Sequence, residues 1–173
     1  MNRTVFSLPE HSEYRTASGL AITRAVEQFS GDAKRLDALI DLLDRRRGVV
    51  LSSGTTVPGR YESFDLGFSD PPLVLETEGA NFALSALNGR GEAPMEEDQR
   101  TRRASVMSLV RALIAAFSAN DDPLLGLFGA FAYDLVFQIE DLVQKRAREA
   151  DQRDIVLYVP DRLLAYDLSL IHI

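Results

Sequence analysis

Between Val49 and Glu92 the chain carries short β-type segments in direct succession, with turns between them and no helix-length pattern. "VVLSS", "RYESFDLGF", "LVLETEG" and "NFALSAL" are separated by "TTVPG" and "SDPP", and "NGRGE" closes the set. Strands joined this tightly pair antiparallel, because a parallel neighbour needs a crossover of roughly a dozen residues or more. The stretch reads as an antiparallel meander. "VVLSS" is expected as a buried strand, and "RYESFDLGF" alternates Tyr61, Ser63 and Asp65 with Glu62, Phe64 and Leu66, one face greasier than the other.

Helical periodicity flanks this region. In "SGDAKRLDALIDLLDRRRGVV", Leu36, Leu39, Ile40 and Leu43 fall at i, i+3, i+4 and i+7, Asp32 is a candidate N-cap, and Gly48 follows the last turn. Residues 101–118 carry a second stripe of Val106, Leu109, Val110, Leu113, Ile114 and Phe117. Upstream, residues 14–28 read as a strand or hairpin. Downstream, "LLGLFGAFAYDLVFQIE" reads as a buried strand running into a short helix, "READQRD" as a loop, and "IVLYVPDRLLAYD" as two strand segments joined at Pro160-Asp161. Strands with interspersed helices and no βα period define an α+β chain: an antiparallel or mixed sheet with packed helices, not a doubly wound one.

A length of 173 residues suits one domain or a large piece of one, and 46% hydrophobic residues can supply a sizeable core. The balance of 19 basic and 26 acidic residues, net −7, argues against nucleic acid or an anionic membrane as partner, since either needs a basic face. Arg45-Arg46-Arg47 and Arg100 to Arg103 are short clusters beside acids and read as caps or solvated helix ends. Without cysteine there is no disulfide, thiolate zinc site or thiol catalysis. No apolar run approaches the roughly 18 residues of a membrane span, and the N-terminus has no signal-peptide pattern, so a cytoplasmic location is expected.

Catalytic signatures are missing. The two histidines, His11 and His172, stand near opposite ends, and no G-x-S-x-G elbow supports a triad. The glycines of "NGRGE" and "GLFGAF" lack the Lys-Ser/Thr of a phosphate loop and read as turn or close-packing residues. Glu96-Glu97-Asp98 reads as a solvated link, and Asp134 and Glu140 as cap or surface carboxylates that could also be buried and functional. One constellation carries more. Ser52 and Ser53 end a strand, and Gly59-Arg60-Tyr61 begins the next after a turn. Hydroxyls, free backbone groups and an arginine fork suit a small zwitterion, though a plain hairpin with a surface arginine accounts for the same residues.

Taken in order, "VVLSSG", "PGRYESFDLGFSDPPL", "LNGRGE", "GLFGAFAYDLVFQIE" and "DQRDIVLYVPDRLLAYD" resemble the N-terminal domain of anthranilate synthase component I, a chorismate-utilising enzyme. The resemblance covers residues 14–167, leaves 1–13 unassigned, and is strongest to the single-chain form fused to its glutamine amidotransferase. It implies the N-terminal lobe of a two-lobed α+β synthase, truncated here. The parent would be a lyase of tryptophan biosynthesis, converting chorismate and glutamine or ammonia to anthranilate and pyruvate. Its Mg²⁺ and chorismate sites would lie in the C-terminal lobe, outside this piece, so no catalytic or metal-binding residue is expected here and the fragment alone should be inactive. The partners implied are that lobe, the amidotransferase domain or subunit, and tryptophan as feedback effector. The family's ligand motif, a Leu-Leu-Glu-Ser strand end, aligns with Val50-Leu51-Ser52-Ser53, so Ser53 matches the tryptophan-binding serine while Ser52 replaces its glutamate. Leu51, Ser52 and Arg60 join Ser53 as the implied effector site. A para-aminobenzoate or phenazine-type synthase, or a stand-alone amino-acid-binding regulatory domain, are the competing readings. The closing "LSLIHI", residues 168–173, corresponds to a translated transposon-end sequencing adapter and is expected to be a non-native tail on a cut chain.

Overall fold

The computed structural model describes residues 9–29, 34–52, 64–78, 81–87, 106–119, 122, 124–149 and 151–167. The chain divides into two compact units, one built from residues 1–15, 21–70 and 161–173 and the other from 16–20 and 71–160. Both are α+β with antiparallel pairing throughout. Short connections join His11–Arg15 to Ala21–Ala25 and Leu73–Glu78 to Asn81–Ala86. Three further pairings, Phe64–Ser69 with Leu164–Asp167 and Ile155–Val159 with both Leu73–Glu78 and Phe128–Phe131, bring together strands far apart in the chain.

In the first unit, β1 (His11–Arg15) and β2 (Ala21–Ala25) form the expected hairpin, starting three residues earlier than the pattern suggested. Helix α1 (Lys34–Leu43) packs on a three-stranded sheet of β3 (Gly48–Leu51), β4 (Phe64–Ser69) and β9 (Leu164–Asp167), in the order β3-β4-β9. Leu36 is buried and Leu39 and Leu43 are half-buried, but Ile40 is exposed, so the docking stripe is narrower than the periodicity implied. The helix sits close at Gly67, where an added Cβ would lie 2.5 Å from Leu39 Cδ2 and 3.0 Å from Val50 Cγ2. A larger residue there would require the Leu39 side chain to shift. Beyond the helix, the Arg45 and Arg46 amides donate to the Leu42 carbonyl, and Arg46 pairs with Asp70 at 2.5 Å. The backbone of the first arginine cluster thus closes the helix end, while the Arg46 side chain goes to Asp70. Arg35 lies over the Phe29 ring, 3.4 Å from its centroid, a cation–π contact worth about 0.5–1 kcal/mol at an exposed site.

In the second unit, β5 (Leu73–Glu78), β6 (Asn81–Ala86), β7 (Phe128–Phe131) and β8 (Ile155–Val159) form a sheet ordered β6-β5-β8-β7. Leu73 and Leu75 of β5 sit in register with Val159 and Leu157 of β8, and all four are buried. Helix α2 (Val106–Ala116) contributes Val106, Leu109, Val110 and Leu113 to the same core. Ile114, read into that stripe, is half exposed instead. Before β8 come a one-turn 3₁₀ helix, Tyr133–Leu135, and a short helix α3, Val136–Ile139. At roughly 25 cal/mol per Å² of buried apolar surface, the twelve buried residues of this core are the main stabilisation of the unit.

Three expectations need correcting. The Val49–Glu92 stretch is not one meander: β3 pairs β4 and β5 pairs β6, but the two pairs belong to different sheets. The break falls at "SDPP", where Asp70 takes φ +50°, a left-handed conformation that aspartate tolerates, just before Pro71. Secondly, β3 is an edge strand, half-buried and exposed at Leu51, whereas β4 is central and buries Asp65, Leu66 and Phe68 together. Two-sided burial removes the alternation expected of a half-exposed strand. Thirdly, β7 is an edge strand with Phe131 half exposed, not a buried one.

Candidate functional site

Two places among the described residues are candidate sites, one in each unit. The first is the end of β3. Its register pairs Leu51 with Leu66 and Val50 with Gly67, so the strand is tied to β4 up to its last residue. Leu51 is 41% exposed and Ser52 follows it into solvent. The Ser52 side chain is thus exposed just past the last ladder pair, with a hydroxyl that can donate and accept a hydrogen bond. Ser53 and Arg60, the other implied effector contacts, lie outside the described residues, as do Asp32, "NGRGE", Glu96 to Asp98, Arg100 to Arg103 and residues 168–173. His11 opens β1 and is exposed.

The second place was not visible in the sequence. Asp154, at the entry to β8, is fully buried, and its carboxylate is shared by two elements. Arg148 Nη2 donates to Oδ1 at 2.5 Å, and Gln138 Nε2 on α3 donates to Oδ2. The Asp154 amide donates to the Thr77 carbonyl at 2.8 Å, and its carbonyl accepts from the Ala132 amide at 2.7 Å. Gln152 Nε2 donates to Asp134 Oδ2 at 2.8 Å, while Arg148 Nε stands 3.8 Å from the same oxygen. Hydrogen bonding to Asp154 raises the Arg148 pKa above its ordinary value, so the guanidinium stays charged at any working pH. A buried carboxylate is tolerated because a cation and an amide together satisfy both oxygens.

This network fixes a segment that has little structure of its own. Residues 140–149 form no helix or strand and are exposed except at Arg148. With Arg148 anchored, the segment walls a groove of about 450 Å³ against Asp134 and Phe137. Of the two carboxylates weighed from the sequence, Asp134 belongs to this network and Glu140 is exposed at the end of α3. Among the described residues no group of three His, Cys, Asp or Glu is placed to hold a metal ion, and no helix is long and apolar enough to cross a membrane.

The described residues thus form two α+β units, one with an exposed strand end at Leu51 and Ser52 and the other with a buried carboxylate network at Asp154. Neither a protein-family model nor a solved structure matches the chain. A curated protein does: anthranilate synthase of Azospirillum brasilense, 41% identical over an alignment of 193 positions. The match takes in 92% of this chain and 26% of that protein, so the chain spans about a quarter of its relative's length. Over nearly all its length, then, this chain is homologous to a part of an anthranilate synthase, as the ordered sequence blocks indicated.

Proposed function

We propose that the chain is the N-terminal part of an anthranilate synthase of tryptophan biosynthesis, whose complete form converts chorismate and glutamine or ammonia to anthranilate and pyruvate. The observation that carries this is the 41% identity sustained across 92% of the chain to a protein of that name. In this reading the piece contributes structure and part of the tryptophan feedback site. Ser53 holds the effector's polar end, with Leu51, Ser52 and Arg60 around it. The rest of the parent supplies the chorismate and Mg²⁺ sites, and a glutamine amidotransferase domain or subunit delivers ammonia. The work takes place in the cytoplasm.

Expression of the uninterrupted genomic reading frame tests this. With chorismate, glutamine and Mg²⁺ the product is expected to fluoresce as anthranilate and to restore growth of a tryptophan auxotroph. The 173-residue chain alone is expected to form none. A frame that yields a different aromatic amine, or fluorescence from the 173 residues alone, would overturn the reading.

A further inference from the structure

We propose that the groove between the Asp134–Phe137 turn and the Val143–Arg148 strap binds a small organic monoanion, a carboxylate on an apolar body. Three cations line it, Lys145, Arg146 and Arg148, against Asp134 as the lining carboxylate. Arg148 is committed behind the wall to Asp154 at 2.5 Å and stands 3.8 Å from Asp134. Glu78 also acts on Arg148 and pairs with Arg153 at 3.4 Å. Counting Asp154 behind Arg148 and this pair, four cations stand against three carboxylates and the groove's surroundings keep one positive charge. They do so in a chain whose net charge is −7. The acids that flank the strap, Glu140, Asp141 and Glu149, are not among the groove's lining residues. A concave site with an excess of positive charge attracts an anion, and an arginine–lysine pair suits a carboxylate.

The remaining wall is apolar. Phe137, Val143 and Ala147 line the groove, and Val143 is 84% exposed, surface that a ligand's hydrocarbon part would cover. A volume of about 450 Å³ falls within the usual range for small-molecule sites. The shape is preset, because Arg148 pins the strap through Asp154 Oδ1 and through the Gln152 carbonyl at 3.3 Å. The inference does not depend on the synthase reading.

The test is a backbone-amide NMR titration of the 173-residue chain with benzoate, inorganic phosphate and neutral benzamide in turn. Benzoate is expected to give saturable shifts confined to residues 134–137 and 143–148, phosphate a weaker saturable response at the same positions, and benzamide none. The doubly substituted K145Q/R146Q chain, altered at two exposed positions, is expected to keep its spectrum elsewhere and bind benzoate about ten-fold more weakly or less. Four results would overturn the proposal: equal response to benzamide, tighter binding of phosphate than benzoate, shifts that never saturate, or unchanged benzoate affinity in K145Q/R146Q.

Discussion

The end of β3 and the carboxylate network around Asp154 place polar groups in opposite ways. At β3 the strand stops, Leu51 and Ser52 face solvent, and no contact among the described residues uses the Ser52 hydroxyl. At Asp154 the carboxylate is wholly buried, and both its oxygens are taken by Arg148 and Gln138. Open polar groups at a rigid strand end cost little to keep and are free to exchange water for a ligand. Buried, fully partnered ones are costly to disturb and hold elements in place. The β3 end should therefore tolerate substitution with loss of ligand response alone, and the Asp154 network should fail through folding.

The largest expected effect follows from breaking the buried pair. Arg148→Met leaves the Asp154 carboxylate without its cation and should cost about 3–5 kcal/mol. Urea unfolding of the 173-residue chain measures it, and the partnered double change Asp154→Leu/Arg148→Met should recover most of the loss, since it removes both charges together. If Arg148→Met unfolds at the wild-type midpoint, the network holds nothing. Next comes Gly129→Ala on β7, where a Cβ would lie 2.0 Å from the Val156 carbonyl oxygen across the ladder. Backbone must shift, at about 1–3 kcal/mol. A neutral Gly129→Ala would mean that the β7 edge is held loosely.

The smallest change runs the other way. Thr77 is 1% exposed on the face of β5 that carries Leu73 and Leu75, and its hydroxyl has no hydrogen-bond partner among the described residues. A buried hydroxyl left unpaired costs about 1–3 kcal/mol. Thr77→Val keeps the shape and removes that cost, so thermal unfolding should move up by a few degrees for about 1 kcal/mol gained. A lower melting temperature would mean that the hydroxyl is satisfied after all, and that the core face is less apolar than its neighbours make it.

What was legible in the chain differs between the regions for a physical reason. The β1–β2 hairpin, α1, α2 and the strands β5, β6, β8 and β9 could be read because turn chemistry and periodicity are local. Strand burial could not, since Leu51 becomes exposed and Asp65 buried only when the sheet order β3-β4-β9 makes one strand an edge and the other central. The split at "SDPP" into separate sheets escaped for the same reason: the dipeptide announces a turn, but not which partner each strand will choose. The serines after β3 stand in a contiguous motif, of which the described residues place only Ser52, just past the strand's last residue Leu51. The Asp154 network draws on Asp134, Gln138, Arg148 and Gln152, inside stretches that read as an apolar run and a polar loop. Only the "RD" before "IVLYV" hinted at it, as a charged residue abutting a buried strand.

The central claim of the proposed function is that the chain after β3 serves a ligand and not the fold, and Ser53→Ala in the proposed complete form tests it most directly. The measurement is the tryptophan concentration giving half-inhibition, read beside the melting temperature and the uninhibited rate on chorismate. Losing one hydrogen bond to the effector should cost about 0.5–1.5 kcal/mol, or up to about 3 if charge-assisted, and so raise that concentration about three- to a hundred-fold. Melting temperature and uninhibited rate should stay at their wild-type values. Inhibition that is unchanged, or that weakens only together with stability and basal rate, would contradict the account and reduce Ser53 to a hairpin residue.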